Sequence, residues 1–186
     1  LKPTDINLSS TSFNENINSG SIIAKLTSTD FDATETNTYE LVHNNRLDDS
    51  QFFFIDNNYL KIYNSPDFET KSSYEIRLRS TNSLNFNFEK SFTLSVNDLN
   101  DNSPTDISLS ATSFDENIDS ESIVATLSTT DADASDTHTY SLVSGVGDTD
   151  NAAFTIEGSN LKINTSPNHE TWSSFSIRIK TTDSGG

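Results

Sequence analysis

The chain has 186 residues, enough for two domains of roughly 90 to 100 residues, and contains neither Cys nor Met. Its 28 acidic residues against 11 basic ones give a formal net charge of −17, which argues against nucleic acid and anionic membrane surfaces as partners. Without Cys there are no disulfides and no thiolate metal ligands, so bound calcium could replace the cross-links that small secreted domains often need.

The first half of the chain predicts β-strands, because apolar and polar residues alternate in short runs separated by Asn, Asp, Ser and Pro. In chain order, the predicted strands lie near residues 4–9, 21–28, 37–42, 51–56, 59–63, 73–80 and 86–97. No segment has a convincing helical period. About seven short strands in about 100 residues are typical of a Greek-key, immunoglobulin-like β-sandwich.

The second half repeats the first at an offset of 101 residues without a gap. The segment 3–6 matches 104–107, the segment 12–17 matches 113–118, and Glu69-Thr70 matches Glu170-Thr171. The sequence therefore predicts an all-β chain of two tandem seven-strand sandwiches. We place the first domain at residues 1–101, with a linker at 98–104, and the second at residues 102–186.

The second domain is expected to lack its last strand. The offset places Gly186 on Asn85, and the first copy continues with the alternating apolar residues of segment 86–97. The second sandwich would then miss about five apolar side chains, each stabilising by roughly 1.5–3 kcal/mol when buried. We expect this domain to be less stable than the first or to borrow a strand from another molecule.

Acidic residues recur in pairs with one residue between them. The pairs are Asp30 and Asp32, Asp67 and Glu69, and Asp131 and Asp133. In extended backbone such side chains point the same way, and at about 4 Å they repel by about 4 kcal/mol unless a cation lies between them. No EF-hand loop fits: a loop starting at Asp131 would have Asp136 instead of Gly at position 6 and Leu142 instead of Glu at position 12. Any calcium site must therefore gather acids from distant segments.

The linker between the two copies reads Asp-Leu-Asn-Asp-Asn-Ser-Pro over residues 98–104. Asp98, Asn100 and Asn102 place three oxygen-bearing side chains at alternate positions, and Asp101 faces the other way. A polar linker is ordinarily flexible, but this chelating pattern indicates a linker that ions could stiffen.

These segments resemble the cadherin repeat family. The linker matches its Asp-x-Asn-Asp-Asn-x-Pro junction, and the segment 14–16 resembles its x-Glu-x motif. Asp67-Phe68-Glu69 resembles the Asp-x-Glu motif and Asp131-Ala132-Asp133 the Asp-x-Asp motif, while Asp183 falls on a further acidic position. The resemblance covers nearly the whole chain and extends to the cadherin-like arrays of large bacterial surface proteins.

The resemblance implies a shared set of oxygen ligands for two or three Ca²⁺ at the junction of the domains. The implied ligands are Glu15, Asp67, Glu69, Asn100, Asp101, Asp131, Asp133 and Asp183, with the carbonyls of Leu99 and Asn102. A set made only of oxygen atoms argues against zinc and copper. Glu116 with Glu170, and Asp30 with Asp32, are expected to be half-sites that bind calcium weakly or not at all.

The predicted function is that of a calcium-rigidified spacer or cell-adhesion segment of a larger protein, located outside the cell or on its surface. No nucleophile elbow, phosphate loop or zinc spacing is present, so an enzyme is not expected. Expected partners are calcium and neighbouring repeats, and another copy or a surface polysaccharide remains open; membrane insertion is not expected. The alternative is a carbohydrate-binding module, for which Trp172 is the candidate sugar platform. For His169, which lies at the Phe68 position, a packing role is favoured.

Overall fold

The computed structural model describes residues 1–31, 36–43 and 48–185. The chain divides into two compact units, Leu1–Leu99 (unit 1) and Asn100–Gly186 (unit 2). Among the described residues, regular structure consists of β-strands and two short 3-10 helices, Ser50–Phe52 and Asn151–Ala153. The predicted all-β sandwich class is confirmed, and the proposed domain limits at 1–101 and 102–186 stay a prediction.

Unit 1 is a sandwich of two four-stranded sheets. Its strands are β1 (Asp5–Leu8), β2 (Ser12–Asn14), β3 (Ile22–Thr29), β4 (Asn37–Leu41), β5 (Phe53–Asp56), β6 (Tyr59–Ile62), β7 (Ser73–Asn82) and β8 (Asn87–Asn97). The sheet orders are β1-β3-β6-β5 and β2-β8-β7-β4. Neighbouring strands are antiparallel except β2 and β8, which are parallel. Strand β2 was not predicted, because three residues are too short for an alternating pattern to show.

The core of unit 1 lies between the two sheets. Ile6 and Leu60 from one sheet, and Leu78 and Leu94 from the other, have no exposed surface. Each such side chain stabilises the fold by roughly 1.5–3 kcal/mol when buried. Phe13, Phe53 and Tyr74 form a cluster of packed rings beside them. The alternation of apolar residues in the sequence therefore places a continuous core in unit 1.

A β-bulge explains why two consecutive residues of β3 are buried. In β3 both Ile23 and Ala24 face the core, because the pairing with β6 slips between Ile22 and Ala24. The extra residue turns the strand so that both side chains reach the interior. The same slip occurs in unit 2 between Ile123 and Ala125.

Unit 2 repeats only part of this architecture. Its strands are β9 (Asp106–Leu109), β10 (Ile123–Thr130), β11 (Thr139–Leu142), β12 (Phe154–Glu157), β13 (Asn160–Ile163) and β14 (Ile179–Thr182). The sheet β9-β10-β13-β12 has the order of its counterpart in unit 1. The second sheet contains only β11 and β14, where unit 1 has four strands.

The difference between the second sheets comes from one strand. Strand β8 of unit 1 lies between β2 and β7. The 101-residue offset places its counterpart beyond residue 186, so the described residues of unit 2 contain no strand in that place. At the 101-residue offset, segments 113–115 and 174–178 correspond to β2 and to the first half of β7, yet neither forms a strand. Their counterparts depend on β8 for pairing, whereas residues 179–182 form β14 because β11 pairs with them.

The core of unit 2 is correspondingly open on one side. Phe154, Leu161 and Ile163 are at most 5% exposed. Phe175 and Ile177 are only half-buried, although their counterparts Tyr74 and Ile76 are buried in unit 1. Among the described residues of unit 2, apolar side chains that β8 helps to bury in unit 1 are therefore partly exposed.

Candidate metal centre

Glu15 is positioned by a turn that depends on Asn16. Asn16 has a φ of 58°, in the left-handed region that Asn tolerates better than most residues. In this conformation the Asn16 N–H donates to the carbonyl of Pro66 at 3.0 Å. The turn therefore brings the predicted x-Glu-x motif against the loop that carries Asp67 and Glu69.

The carboxylate of Glu15 is 2% exposed and accepts two backbone hydrogen bonds. Oε1 accepts from the Leu99 N–H at 2.7 Å and Oε2 accepts from the Phe68 N–H at 2.8 Å. A buried carboxylate is stable only when such donors or a cation compensate its lost hydration. Glu15 thereby links the end of unit 1 to the Asp-x-Glu loop.

Three carboxylates of unit 1 come together at this point. Oxygen atoms of Glu15, Glu69 and Asp98 lie within 4.8 Å of one another. Three negative charges at this spacing repel by about 4 kcal/mol for each pair at an effective dielectric near 20. Glu15 and Glu69 belong to the ligand set predicted from the sequence, whereas Asp98 was noted only as part of the linker's alternating pattern.

Asp67 has a different local role. It is exposed, its Oδ1 accepts from the Thr70 N–H at 3.1 Å, and its Oδ2 accepts from the Thr70 hydroxyl at 2.9 Å. The side-chain hydrogen bond from Thr70 lowers the pKa of Asp67. The carboxylate thus closes the turn after residue 67 and stands outside the cluster of Glu15, Glu69 and Asp98.

In unit 2, the side chain of Asp133 accepts hydrogen bonds from the backbone of the linker. Asp133 is 3% exposed, and its Oδ2 accepts from the Asp101 and Asn102 N–H groups at 3.1 and 2.9 Å. Its Oδ1 accepts from the Asn102 side-chain amide at 2.9 Å. The Asn102 side chain is the largest cause of a lowered pKa at Asp133. Three predicted ligands are therefore joined in one hydrogen-bonded group.

Asp131 connects this group to two residues that sequence reasoning missed. Its Oδ1 accepts from the Asp133 N–H at 3.2 Å, and its Oδ2 lies 2.8 Å from Nε2 of His138. Ligand atoms of Asp131, Asp136 and His138 lie within 4.8 Å of one another. The available signal was the alternation of Asp136 and His138 immediately before β11, which resembles the spacing of the recognised acid pairs.

Asn100 is connected to Asp136 by a further chain of contacts through Ser184. Asn100 Nδ2 donates to the Ser184 hydroxyl at 3.1 Å, and that hydroxyl donates to Oδ1 of Asp136. The contact with the Ser184 side chain is the main cause of the lowered pKa of Asp136. Asp183 follows the last residue of β14 and is half-buried beside Ser184. Unit 2 thus gathers Asn100, Asp101, Asn102, Asp131 and Asp133 into adjoining contacts.

The predicted half-site in unit 1 is organised around an amide. Asn82, 4% exposed, occupies the position of Asp183, and its Nδ2 donates to the Leu1 carbonyl at 2.7 Å and to Oδ2 of Asp30 at 3.3 Å. Its Oδ1 accepts from the N–H groups of Leu84 and Phe86. The Asn82 amide therefore donates to the Asp30 carboxylate, where a cation would otherwise balance the charge. Asp32 lies outside the described residues.

The other half-site shows little organisation. Glu116 is exposed, unlike its counterpart Glu15, and accepts from the His169 N–H at 3.1 Å. Glu170 is also exposed. His169 thus occupies the Phe68 position and repeats its backbone contact.

Comparison with solved structures gives the fold. No protein-family model and no curated protein matches the chain. The crystal structure of chicken VE-cadherin EC1-2 matches with a TM-score of 0.71 and 21% identity, over 94% of this chain and 89% of that one. The fold is that of cadherin extracellular repeats. The human protocadherin-24 EC1-2 structure (Form II) matches this cadherin-like chain with a TM-score of 0.56 and 19% identity, over 96% of this chain and 87% of that one.

The protocadherin γB4 extracellular domain also matches, with a TM-score of 0.58 and 21% identity over 97% of this chain. The cadherin-like chain spans only 29% of the length of that protein. Among the described residues, none of the helical segments has the length and apolar character needed to cross a membrane.

Proposed function

We propose that the chain is a calcium-binding pair of cadherin-like repeats that serves as an extracellular spacer or cell-adhesion segment of a larger surface protein. The observation that carries the proposal is the cluster of Glu15, Glu69 and Asp98, whose carboxylate oxygens lie within 4.8 Å of one another. Calcium binds six to eight oxygen atoms and would replace their mutual repulsion with shared coordination.

The wider ligand set comes from the resemblance stated above. Besides Glu15 and Glu69 of that cluster, it contains Asp67, Leu99, Asn100, Asp101, Asn102, Asp131, Asp133 and Asp183, and we propose two or three Ca²⁺ in total. The contacts of Asp133 with the backbone of residues 101 and 102 support this assignment, because they pre-arrange the linker oxygens. Pre-arranged ligands lose less conformational entropy when an ion binds.

Isothermal titration of the full chain with Ca²⁺ tests the proposal. We expect two or three ions per chain and weaker binding after Glu69→Gln, Asp101→Ala or Asp133→Asn. Asp119→Asn is the matched control, because Asp119 is an exposed acid outside the proposed set. A stoichiometry of zero, or full binding retained in Asp101→Ala, would overturn the proposal.

A spacer and an adhesion segment differ in self-association. A spacer stays monomeric with and without calcium, whereas an adhesion segment forms dimers that chelator dissociates. Sedimentation velocity of the full chain in Ca²⁺ and in EGTA separates the two functions, and Glu69→Gln should abolish any calcium-dependent dimer.

A further inference from the structure

The outer surface of one sheet of unit 1 carries three aromatic side chains. Along β6 the residues at 60 and 62 fill the core, so Tyr59, Lys61 and the next residue in the alternation, Tyr63, face outward from the sheet β1-β3-β6-β5. Phe54 faces the same way from β5, because its neighbour at position 53 is buried. Tyr59 and Tyr63 are 36% and 51% exposed, and Phe54 is half-buried. These residues, with Asp56, form the aromatic face of unit 1.

The rings of the aromatic face flank a charged pair. Phe54 and Tyr63 form a ring pair, with 4.7 Å between their centroids and an interplanar angle of 30°. Tyr59 precedes Tyr63 by a distance of about 13 Å along an extended chain. Lys61 lies between the two tyrosines and opposite Phe54, and its Nζ is 2.7 Å from Oδ2 of Asp56. The face therefore offers two separate ring surfaces with a donor and an acceptor between them.

The same sheet of unit 2 has a charged pair of this kind without the rings. At the 101-residue offset, the three rings are replaced by the polar residues Thr155, Asn160 and Asn164. Lys162 and Glu157 form the corresponding ion pair. The Thr155 hydroxyl donates to Oδ1 of Asn164 at 2.7 Å, where unit 1 has its ring pair. The fold therefore does not require aromatic residues at these positions, and their presence in unit 1 indicates a role other than folding.

The composition of the aromatic face favours a neutral sugar over other partners. The centre of a protein interface is depleted in charged residues, whereas here Lys61 and Asp56 lie among the rings. The net charge of −17 disfavours nucleic acids, anionic polysaccharides and anionic membranes. A pyranose ring presents C–H groups that pack on an aromatic ring, and hydroxyl groups that both donate and accept hydrogen bonds. Aromatic rings beside a donor and an acceptor match both properties.

We propose that the aromatic face of unit 1 binds an uncharged oligosaccharide in an extended conformation. One sugar ring packs on Tyr59 and another packs on the ring pair of Phe54 and Tyr63. Between them, Nζ of Lys61 donates to a sugar hydroxyl and the carboxylate of Asp56 accepts from one. None of these residues belongs to the proposed calcium ligands, so sugar binding needs no Ca²⁺.

Two-dimensional NMR of the nitrogen-15-labelled full chain in EGTA tests this with cellohexaose, mannohexaose, xylohexaose and N-acetylchitohexaose. We expect at least one of these sugars to shift the amide signals of residues 54, 59, 61 and 63. The amide signals of their counterparts in unit 2, residues 155, 160, 162 and 164, should stay in place. A heparin hexasaccharide, which has the same number of sugar units but is negatively charged, should shift neither set.

The residues of unit 2 supply variants that suit the fold. Tyr59→Asn should weaken binding about tenfold, because a packed ring is lost. Phe54→Thr combined with Tyr63→Asn should do the same, and this variant can form the hydrogen bond seen in unit 2. Lys61→Met should weaken binding at least about threefold, because a hydrogen bond to a hydroxyl is lost. Phe86→Asn is the matched control and should not weaken binding, because Phe86 is 51% exposed, like Tyr63, but lies outside the aromatic face.

Any of four results would contradict sugar binding at this face. None of the four neutral sugars shifts its amide signals; the sugars shift signals around Trp172 instead; heparin shifts the signals of the face; or the ring variants bind as well as the unaltered chain. Signals of the face that move with protein concentration in the absence of sugar would also overturn the proposal, and they would assign the face to a second copy of the chain.

Discussion

The two equivalent glutamates, Glu15 and Glu116, allow one prediction about stability to be made with an internal control. Glu15→Ala removes a buried carboxylate that accepts from the N–H groups of Leu99 and Phe68 at 2.7 and 2.8 Å. Leaving a buried donor without an acceptor costs about 1–3 kcal/mol. The substitution leaves two such donors without their acceptor, and water partly reaches them. We therefore expect Glu15→Ala to lower the free energy of unfolding of unit 1 by about 2–4 kcal/mol.

Glu116→Ala should have a much smaller effect. Glu116 is exposed and makes one backbone contact, with His169 at 3.1 Å. Water can replace that acceptor, so we expect a loss below about 1 kcal/mol in unit 2.

Native-state hydrogen exchange in EGTA measures both losses in one chain. Chelation removes any contribution of a bound ion, and about 1 M salt screens the repulsion between Glu15 and its neighbours Glu69 and Asp98, which Glu15→Ala would otherwise relieve. The amides of β7 and β10 report unit 1 and unit 2 separately. The slowest amides of β7 should exchange about 30-fold to 1,000-fold faster in Glu15→Ala. Equal losses in the two variants would refute the argument from burial.

Four further outcomes are expected. Ile76→Ala should destabilise unit 1 by about 2–5 kcal/mol, and Ile177→Ala should destabilise unit 2 by less, because Ile177 is only half-buried. Urea unfolding followed by hydrogen exchange compares the two losses of stability. The hydrogen bond from Arg79 lowers the pKa of Glu89 below its ordinary 4.5, so this stabilisation is present above that value and is lost as the pH falls through the lowered pKa. Glu89→Gln should therefore flatten the acid limb of unit 1 stability in urea titrations at pH 2 to 6, and an unchanged limb would contradict the assignment. Asn82→Ala should speed amide exchange at residues 84 and 86, whose N–H groups lose their acceptor. EGTA should leave the far-ultraviolet circular dichroism of the chain unchanged, since the core of unit 1 uses no ion, and loss of the β signal would contradict this.

The alternating apolar pattern was sufficient to predict most strands, because alternation reports which face of a strand meets the core. It failed at β2, which has only three residues and exists through its pairing with β8. It also misleads at residues 174–178, where the pattern of β7 is conserved between the copies but no strand forms. Pairing partners, which a local pattern cannot supply, decide both cases.

The sequence motifs predict many of the clustered residues, but they do not predict which residues contact one another. Glu15 and Glu69 lie in the carboxylate cluster of unit 1 and Asp131 lies in the cluster of unit 2, whereas Asp98, Asp136 and His138 join these clusters without belonging to the predicted set. Spacing along one strand shows which carboxylates share a face. It does not show which loops approach each other, and that depends on turns such as the one at Asn16.

The parallel pairing of β2 with β8 has a consequence for mechanical load. Strand β2 lies near the start of unit 1 and β8 near its end, so tension between Leu1 and Leu99 pulls the two strands in opposite directions along their length. The hydrogen bonds of the pairs from Ser12–Ser95 to Asn14–Asn97 are then loaded in shear and must break together, not one at a time. The pairing of this three-residue strand with β8 therefore contributes to the resistance of unit 1 to pulling, which depends on the rate of unfolding instead of on its free energy.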